Sequence, residues 1–188
     1  FQRLLGDADK LAANLNNYIA GFSGNARKII EKFKFDEEIE KLDEANRLFE
    51  VVQEVAAVDL HPDRITNIEM GYLFEDLVRR FNEQANEEAG DHFTPREVIK
   101  LMVSVLFTHD DLVYVPGKVI KIYDPTCGTG GMLSESEKLI ADPDTGLNPQ
   151  ANLELFGQEY NPESYAICGS DLMIKGEDVK NIVYGNTL

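Results

Sequence analysis

The chain has 188 residues, of which 43% are hydrophobic and 28% charged, a composition typical of globular proteins. No apolar run approaches the roughly 18 residues of a membrane span, so no membrane-spanning segment and no membrane partner are expected. The 34 acidic and 18 basic residues leave a net charge of −16, which would repel a polyanion, so this chain is not expected to hold DNA by itself.

The two cysteines, Cys127 and Cys168, show neither a CxxC spacing nor a histidine cluster. They therefore predict no zinc site and no secreted disulfide framework, and a cytoplasmic location is the default expectation. The chain begins at Phe1 and not at a methionine, so we expect the natural N-terminus to lie upstream.

Residues 1–88 are predicted to form a helical N-terminal region. Apolar residues recur at three- and four-residue steps from Leu4 to Ile19, in a second segment near 36–58, and from Met70 to Phe81. Thr66 and Glu69 form a capping-box pattern at the start of the third segment. These patterns predict three packed helices.

Residues 89–188 alternate between helical and β-type patterns. Thr94 and Pro95 resemble an N-cap and a first-turn proline, followed by a helix through Leu106. Strands are predicted at 118–123, 153–159 and 181–184, with helices at 132–140 and after the Asn161-Pro162 cap. The order strand–helix–strand–helix–strand predicts a parallel, doubly wound α/β sheet.

The first predicted strand runs directly into the octet DPTCGTGG at 124–131. Glycines allow a sharp turn and a close ligand, and the first N–H groups of the next helix face that ligand. Glu159 ends the second strand, where this type of fold places a carboxylate on the ribose hydroxyls of an adenosine. The pair predicts a cofactor that contains adenosine.

Four motifs resemble one known family, in the order that the family uses: MGYLFEDL at 70–77, HFTPREV at 92–98, the octet at 124–131, and GQEYNP at 157–162. Together they resemble the modification subunit of type I restriction–modification systems, an adenine-specific DNA methyltransferase. The resemblance extends over residues 66–188. It implies that residues 89–188 form the first half of a Rossmann-like sheet that binds S-adenosyl-L-methionine.

The resemblance also implies roles for particular residues. Asp124 would face the ammonium group of the cofactor, Glu159 its ribose and Asn186 its adenine amine. The other expected contacts are His92, Phe93, Thr94, Pro95 and Arg96, which would close over the methionine end, and Gly128, Thr129, Gly130 and Gly131, which would line it. Cys127 is interpreted as a packing residue, because no histidine in the motif could activate it.

The catalytic motif of the family, N-P-P-[FY], is expected after the third strand and does not occur in the 188 residues. This chain is therefore predicted to contain no catalytic residue and to be inactive alone, while the parent protein methylates the exocyclic amine of adenine. The resemblance implies DNA, a specificity subunit, a second modification subunit and a restriction nuclease subunit as partners in the full complex. Two alternatives remain open: a subunit-contact module with a degenerate cofactor pocket, and a nicotinamide-dependent oxidoreductase.

Overall fold

The computed structural model describes residues 4–89 and 94–188, with the backbone alone for residue 68 and residues 81–89. The chain divides into two compact units, one that extends to Met70 and one that begins at Gly71. Helix α5, Asn67–Ala89, spans both this division and the predicted domain boundary between residues 88 and 89. The predicted boundary therefore stays a prediction.

The first unit is helical. Its helices are α1 at Leu11–Ala20, α2 at Gly24–Lys32, α3 at Phe35–Glu44 and α4 at Leu48–Ala57. The segment near 36–58 was predicted as one helix, but Asn46 adopts a left-handed φ of 53° and separates α3 from α4. Helix α2, which sequence periodicity missed, begins where the Ser23 side chain accepts a hydrogen bond from Ala26 N. The buried residues that hold these helices together are Leu11, Ile39, Leu48 and Val52.

The predicted capping box at the start of α5 is confirmed. Thr66 N donates to the Glu69 carboxylate at 2.8 Å, and Glu69 N donates to the Thr66 hydroxyl at 3.2 Å. Of the helices that the structure describes, none combines the length and the apolar composition needed to cross a bilayer.

The second unit contains a parallel sheet. Its elements after α5 are α6 at Arg96–Phe107, β1 at Val119–Asp124, α7 at Gly131–Ala141, β2 at Asn152–Glu159, α8 at Pro162–Lys175 and β3 at Ile182–Tyr184. The strands lie in the order β1-β2-β3 and all pairs are parallel. Gly157 pairs with both Asp124 and Ile182, so the three strands end at one edge of the sheet. This arrangement confirms the predicted α/β fold.

Helices α6, α7 and α8 pack on a single face of this sheet. Leu155 and Ile182 point to that face and pack with Leu133 of α7 and Cys168 of α8. The opposite face exposes 57% of Tyr123 and contains other partly exposed apolar residues. A sheet that adds strands in one direction through right-handed crossovers places its helices on one side. The second helical layer that a doubly wound sheet requires is therefore not found among the described residues.

Candidate functional site

The turn after β1 is built by backbone and side-chain hydrogen bonds. An Asp124 carboxylate oxygen accepts from Thr126 N at 3.0 Å, which bends the chain as it leaves the strand. Cys127 N then donates to the Gln158 carbonyl at 3.0 Å, and Gly130 N donates to the Cys127 carbonyl at 2.8 Å. The turn is thus tied to β2 before α7 begins at Gly131.

Two glycines of the turn are needed for different reasons. Gly128 has a φ of +55°, and a Cβ added there would meet nothing within 4 Å. Gly130 has a φ of +87°, and a Cβ added there would lie 2.8 Å from the Cys168 sulfur. Gly128 therefore leaves an open surface beside the backbone, whereas Gly130 permits close packing of the turn on α8.

Glu159 lies against the turn, as predicted. One carboxylate oxygen accepts from Gly128 N at 2.7 Å and the other accepts from Asn161 N at 2.6 Å. An ionised carboxylate has about four acceptor positions, so two of them remain after these bonds are made. Asn161 in turn caps α8, since its side chain accepts from Glu163 N and Ser164 N. The predicted proximity of Glu159 to the glycine turn is confirmed, and its contact with a ribose stays a prediction.

Both cysteines are buried in the core beneath this site, with exposures of 6% for Cys127 and 1% for Cys168. A hydrogen bond with the Cys127 thiol and burial raise the pKa of Cys168 far above its usual range. A thiol that cannot ionise is a poor nucleophile. The position of Cys127 in the core agrees with its interpretation as a packing residue.

The N-terminus of α6 lies beside the N-terminus of α7. A Cβ added to Gly131 would lie 2.8 Å from Cδ1 of Ile99, in the first turn of α6. Thr94, Pro95 and Arg96 lie at this end of α6, and their contact with the cofactor stays a prediction. The predicted residues His92 and Phe93 lie outside the described residues.

The predicted cap of α6 at Thr94 is wrong. Helix α6 begins one residue later than that cap requires, and its N-cap is Pro95, whose ψ of 138° is not helical. The Pro95 carbonyl accepts from Val98 N and Ile99 N, and no side chain caps the helix. Arg96 forms an ion pair with Glu75 of α5 at 3.0 Å, while its buried Nε has no hydrogen-bond partner among the described residues.

Asn186 lies at the same edge of the sheet, after β3. Its carbonyl accepts from the Gln158 side chain at 2.7 Å, and Gly185 N donates to the Glu159 carbonyl at 2.9 Å. The Thr187 hydroxyl donates to the Pro125 carbonyl. Gln158 and Thr187 therefore join the three strand ends, and no role was predicted for either residue from the sequence. Thr129, also predicted to contact the cofactor, is half-buried in the turn.

A buried polar group between α7 and α8 was also missed. Asp171 is 7% exposed and accepts hydrogen bonds from Ser134 and Lys175. The sequence contains one signal for it, because Asp171 stands between Cys168 and Leu172 on the buried face of a helix and precedes Lys175 by four residues. In the part of the chain whose side chains are described, no group of three or more His, Cys, Asp or Glu residues could hold a metal ion.

Comparison with known proteins extends these observations. The family described as N-6 DNA methylase matches residues 66–188. The chain is 27% identical over 109 residues to the type I restriction enzyme HindI methylase subunit of Haemophilus influenzae, covering 58% of this chain and 22% of that protein. It is 24% identical over 184 residues to the EcoEI methylase subunit of Escherichia coli, covering 96% of this chain and 35% of that protein. The chain thus spans well under half the length of these curated relatives.

A solved structure shows the same fold. The methyltransferase subunit of a type I restriction–modification system from Streptococcus thermophilus matches with a TM-score of 0.64 at 18% identity, over 100% of this chain and 39% of that one. The family match covers well over half of the chain and includes the whole sheet and the glycine turn. The chain therefore belongs to the N-6 DNA methylase family.

Proposed function

We propose that this chain binds S-adenosyl-L-methionine as part of a DNA methyltransferase that modifies the exocyclic amine of adenine. The observation that supports this proposal best is the bond between Glu159 and Gly128, 2.7 Å long. It holds a carboxylate with two remaining acceptor positions beside a turn whose Gly128 has open space at its Cβ position. A ribose diol needs such acceptors, and an amino-acid moiety needs such backbone access.

The described residues offer groups of suitable chemistry for the ribose and for the amino-acid end of this cofactor. Glu159 would accept from the ribose hydroxyls, and Asp124 would pair with the ammonium group. Because Gly128 N and Gly130 N already donate to Glu159 and to the Cys127 carbonyl, the N–H groups of Thr129 and Gly131 would face the carboxylate of the cofactor. Thr94, Pro95 and Arg96 would approach from the start of α6. The bound cofactor supplies an activated methyl group, whereas this chain supplies binding and orientation.

We propose that the methyl transfer itself requires a longer parent protein. The pattern N-P-P-[FY], whose asparagine and aromatic residue would hold an adenine flipped from the duplex, does not occur in these 188 residues. We therefore propose that this chain alone binds cofactor and methylates nothing. In the complete complex, a specificity subunit would read the DNA, together with a second modification subunit and a nuclease subunit. The net charge of −16 favours such delegation of DNA contacts.

Calorimetric titration of the chain with S-adenosyl-L-methionine tests the proposal. Glu159→Ala should weaken binding by about 1.5–3 kcal/mol, as expected for hydrogen bonds to a charged group. Glu163→Ala is the matched control, because it removes the same charge from an exposed position in the first turn of α8. Failure of the native chain to bind would favour a subunit-contact module, and preferential binding of NADH would favour an oxidoreductase. Equal affinity of Glu159→Ala and the native chain would remove Glu159 from the site.

A further inference from the structure

Helices α7 and α8 are joined by a buried polar network that the proposed function does not use. The Ser134 hydroxyl donates to an Asp171 carboxylate oxygen at 2.7 Å. The Lys175 ammonium donates to the same oxygen at 2.8 Å and to the Ser134 hydroxyl at 3.0 Å. The other Asp171 oxygen is buried and has no hydrogen-bond partner among the described residues. Burial of a carboxylate is costly unless hydrogen bonds or an opposite charge compensate it, as Ser134 and Lys175 do here for one oxygen only.

The network acts at the start of α7, directly after the glycine turn. Ser134 lies in the first turn of α7, and its N–H donates to the Gly130 carbonyl at 2.9 Å. Cys168, three residues before Asp171, contacts the turn at Gly130 from the same face of α8. Two neighbouring positions of α8 therefore hold the turn and the residue that follows it.

Helix α8 also begins three residues after Glu159, at Pro162. Helix α8 starts beside Glu159, and its third turn holds the start of α7. A shift of α7 relative to α8 would therefore change the distance between the glycine turn and Glu159. Lys175 is enclosed by α5 as well, since a Cβ added to Gly71 would lie 3.3 Å from its side chain. The network is thereby largely shielded, with 18% of the Lys175 side chain and 11% of the Asp171 side chain exposed. Hydrogen bonds are stronger in such surroundings than in water.

We propose that Asp171 is a positioning residue, which fixes the glycine turn relative to Glu159 through its hydrogen bond with Ser134. This inference rests on the proposed function only in assigning the turn to the methionine end of the cofactor. The positioning itself can be measured without any ligand.

The decisive variant is Ser134→Ala, which removes the hydroxyl and leaves the Asp171–Lys175 pair in place. Asp171→Ala would leave the buried Lys175 ammonium without its carboxylate and could unfold the chain, so it serves only as a second variant. Ser136→Ala is the matched control, because Ser136 is buried on the same helix and its hydroxyl donates to the Met132 carbonyl within α7. Ser134→Thr retains a hydroxyl and should restore the native behaviour.

Amide hydrogen exchange of the chain without ligand is the first measurement. Ser134→Ala should speed exchange about tenfold in a peptide that covers residues 126–134, as expected when a hydrogen bond to a charged group is lost. Ser136→Ala should leave exchange in this peptide as in the native chain. Unchanged exchange in Ser134→Ala would overturn the inference, whatever the cofactor affinity proves to be.

Titration with two ligands is the second measurement. Ser134→Ala should lower the affinity for S-adenosylhomocysteine, which has the amino-acid end. It should leave the affinity for 5′-methylthioadenosine, which lacks that end, unchanged. Equal weakening of both ligands would indicate general loosening and would overturn the positioning role. Faster exchange in the turn combined with a native chain that binds neither ligand would support the inference and contradict the proposed function.

Discussion

The backbone of Gly130 lies so close to Cys168 that a Cβ built on the glycine would be 2.8 Å from the sulfur. This distance is shorter than any ordinary contact of a Cβ atom, and the φ of Gly130 is +87°. Packing and backbone conformation therefore both require glycine at this position.

Gly130→Ala should lower the free energy of unfolding by about 2–5 kcal/mol, the sum of a left-handed alanine and an overpacked core. Gly176→Ala is the control, since Gly176 has a φ of +88° and its Cβ position meets nothing within 4 Å. The control should lose about 1–2 kcal/mol from backbone strain alone. Urea denaturation measures both, and equal losses would contradict the packing argument.

Gly128→Ala should weaken both ligand binding and stability, whereas Gly117→Ala should weaken stability alone. Gly128 and Gly117 both have positive φ values, +55° and +67°, and both have open Cβ positions. Each alanine variant should lose about 1–2 kcal/mol of stability. Only Gly128→Ala should also lose affinity for S-adenosyl-L-methionine, by about tenfold or more, because a methyl group would occupy the surface proposed for the ligand. Calorimetry that finds the same affinity for both variants would place the ligand elsewhere.

Glu137 should make stability depend on pH. Burial raises the pKa of its carboxyl, Lys175 opposes this effect, and the carboxyl groups of Glu177 and Asp171 add to it. A carboxyl whose pKa is raised by folding binds its proton more tightly in the folded chain than in the unfolded chain. Its contribution to stability is therefore lost as the pH rises from the usual pKa of 4.5 through the raised pKa. Glu137→Gln should therefore raise the melting temperature at pH 7 and change it little at pH 4.

The control for this experiment is Glu163→Gln, which makes the same change in net charge at an exposed position of α8. Thermal unfolding followed by circular dichroism at both pH values compares the two variants with the native chain. If Glu137→Gln raises the melting temperature at pH 7 no more than the control does, the change in net charge, and not the burial of Glu137, accounts for the rise.

Duplex DNA should not bind this chain measurably at physiological salt. The arginines that could form a basic patch are occupied by carboxylates, since Arg79 and Arg80 both pair with Asp76 and Arg96 pairs with Glu75. Fluorescence anisotropy with a random duplex at low and moderate salt is the measurement. Micromolar binding that weakens steeply with salt would reveal several phosphate contacts and would contradict the delegation of DNA binding to another subunit.

The elements of the sheet could be predicted from sequence because their signals are local. The β-branched run that ends at Tyr123 predicted a strand at 118–123, and β1 occupies Val119–Asp124. Asn161 followed by Pro162 predicted the start of α8, which its side-chain hydrogen bonds confirm. The spacing of the octet and Glu159 also predicted their proximity, since parallel strands joined by a helix end at the same edge of a sheet.

Tertiary structure alone decided which side chains of separate elements contact one another. Arg96 is paired with Glu75, and Asp171 with Ser134, through contacts between residues far apart in the chain. Periodicity and capping patterns report the path of the backbone within one element. The partners of a buried charge depend on how separate helices pack, because only packing brings distant side chains together and removes the water that would otherwise solvate them.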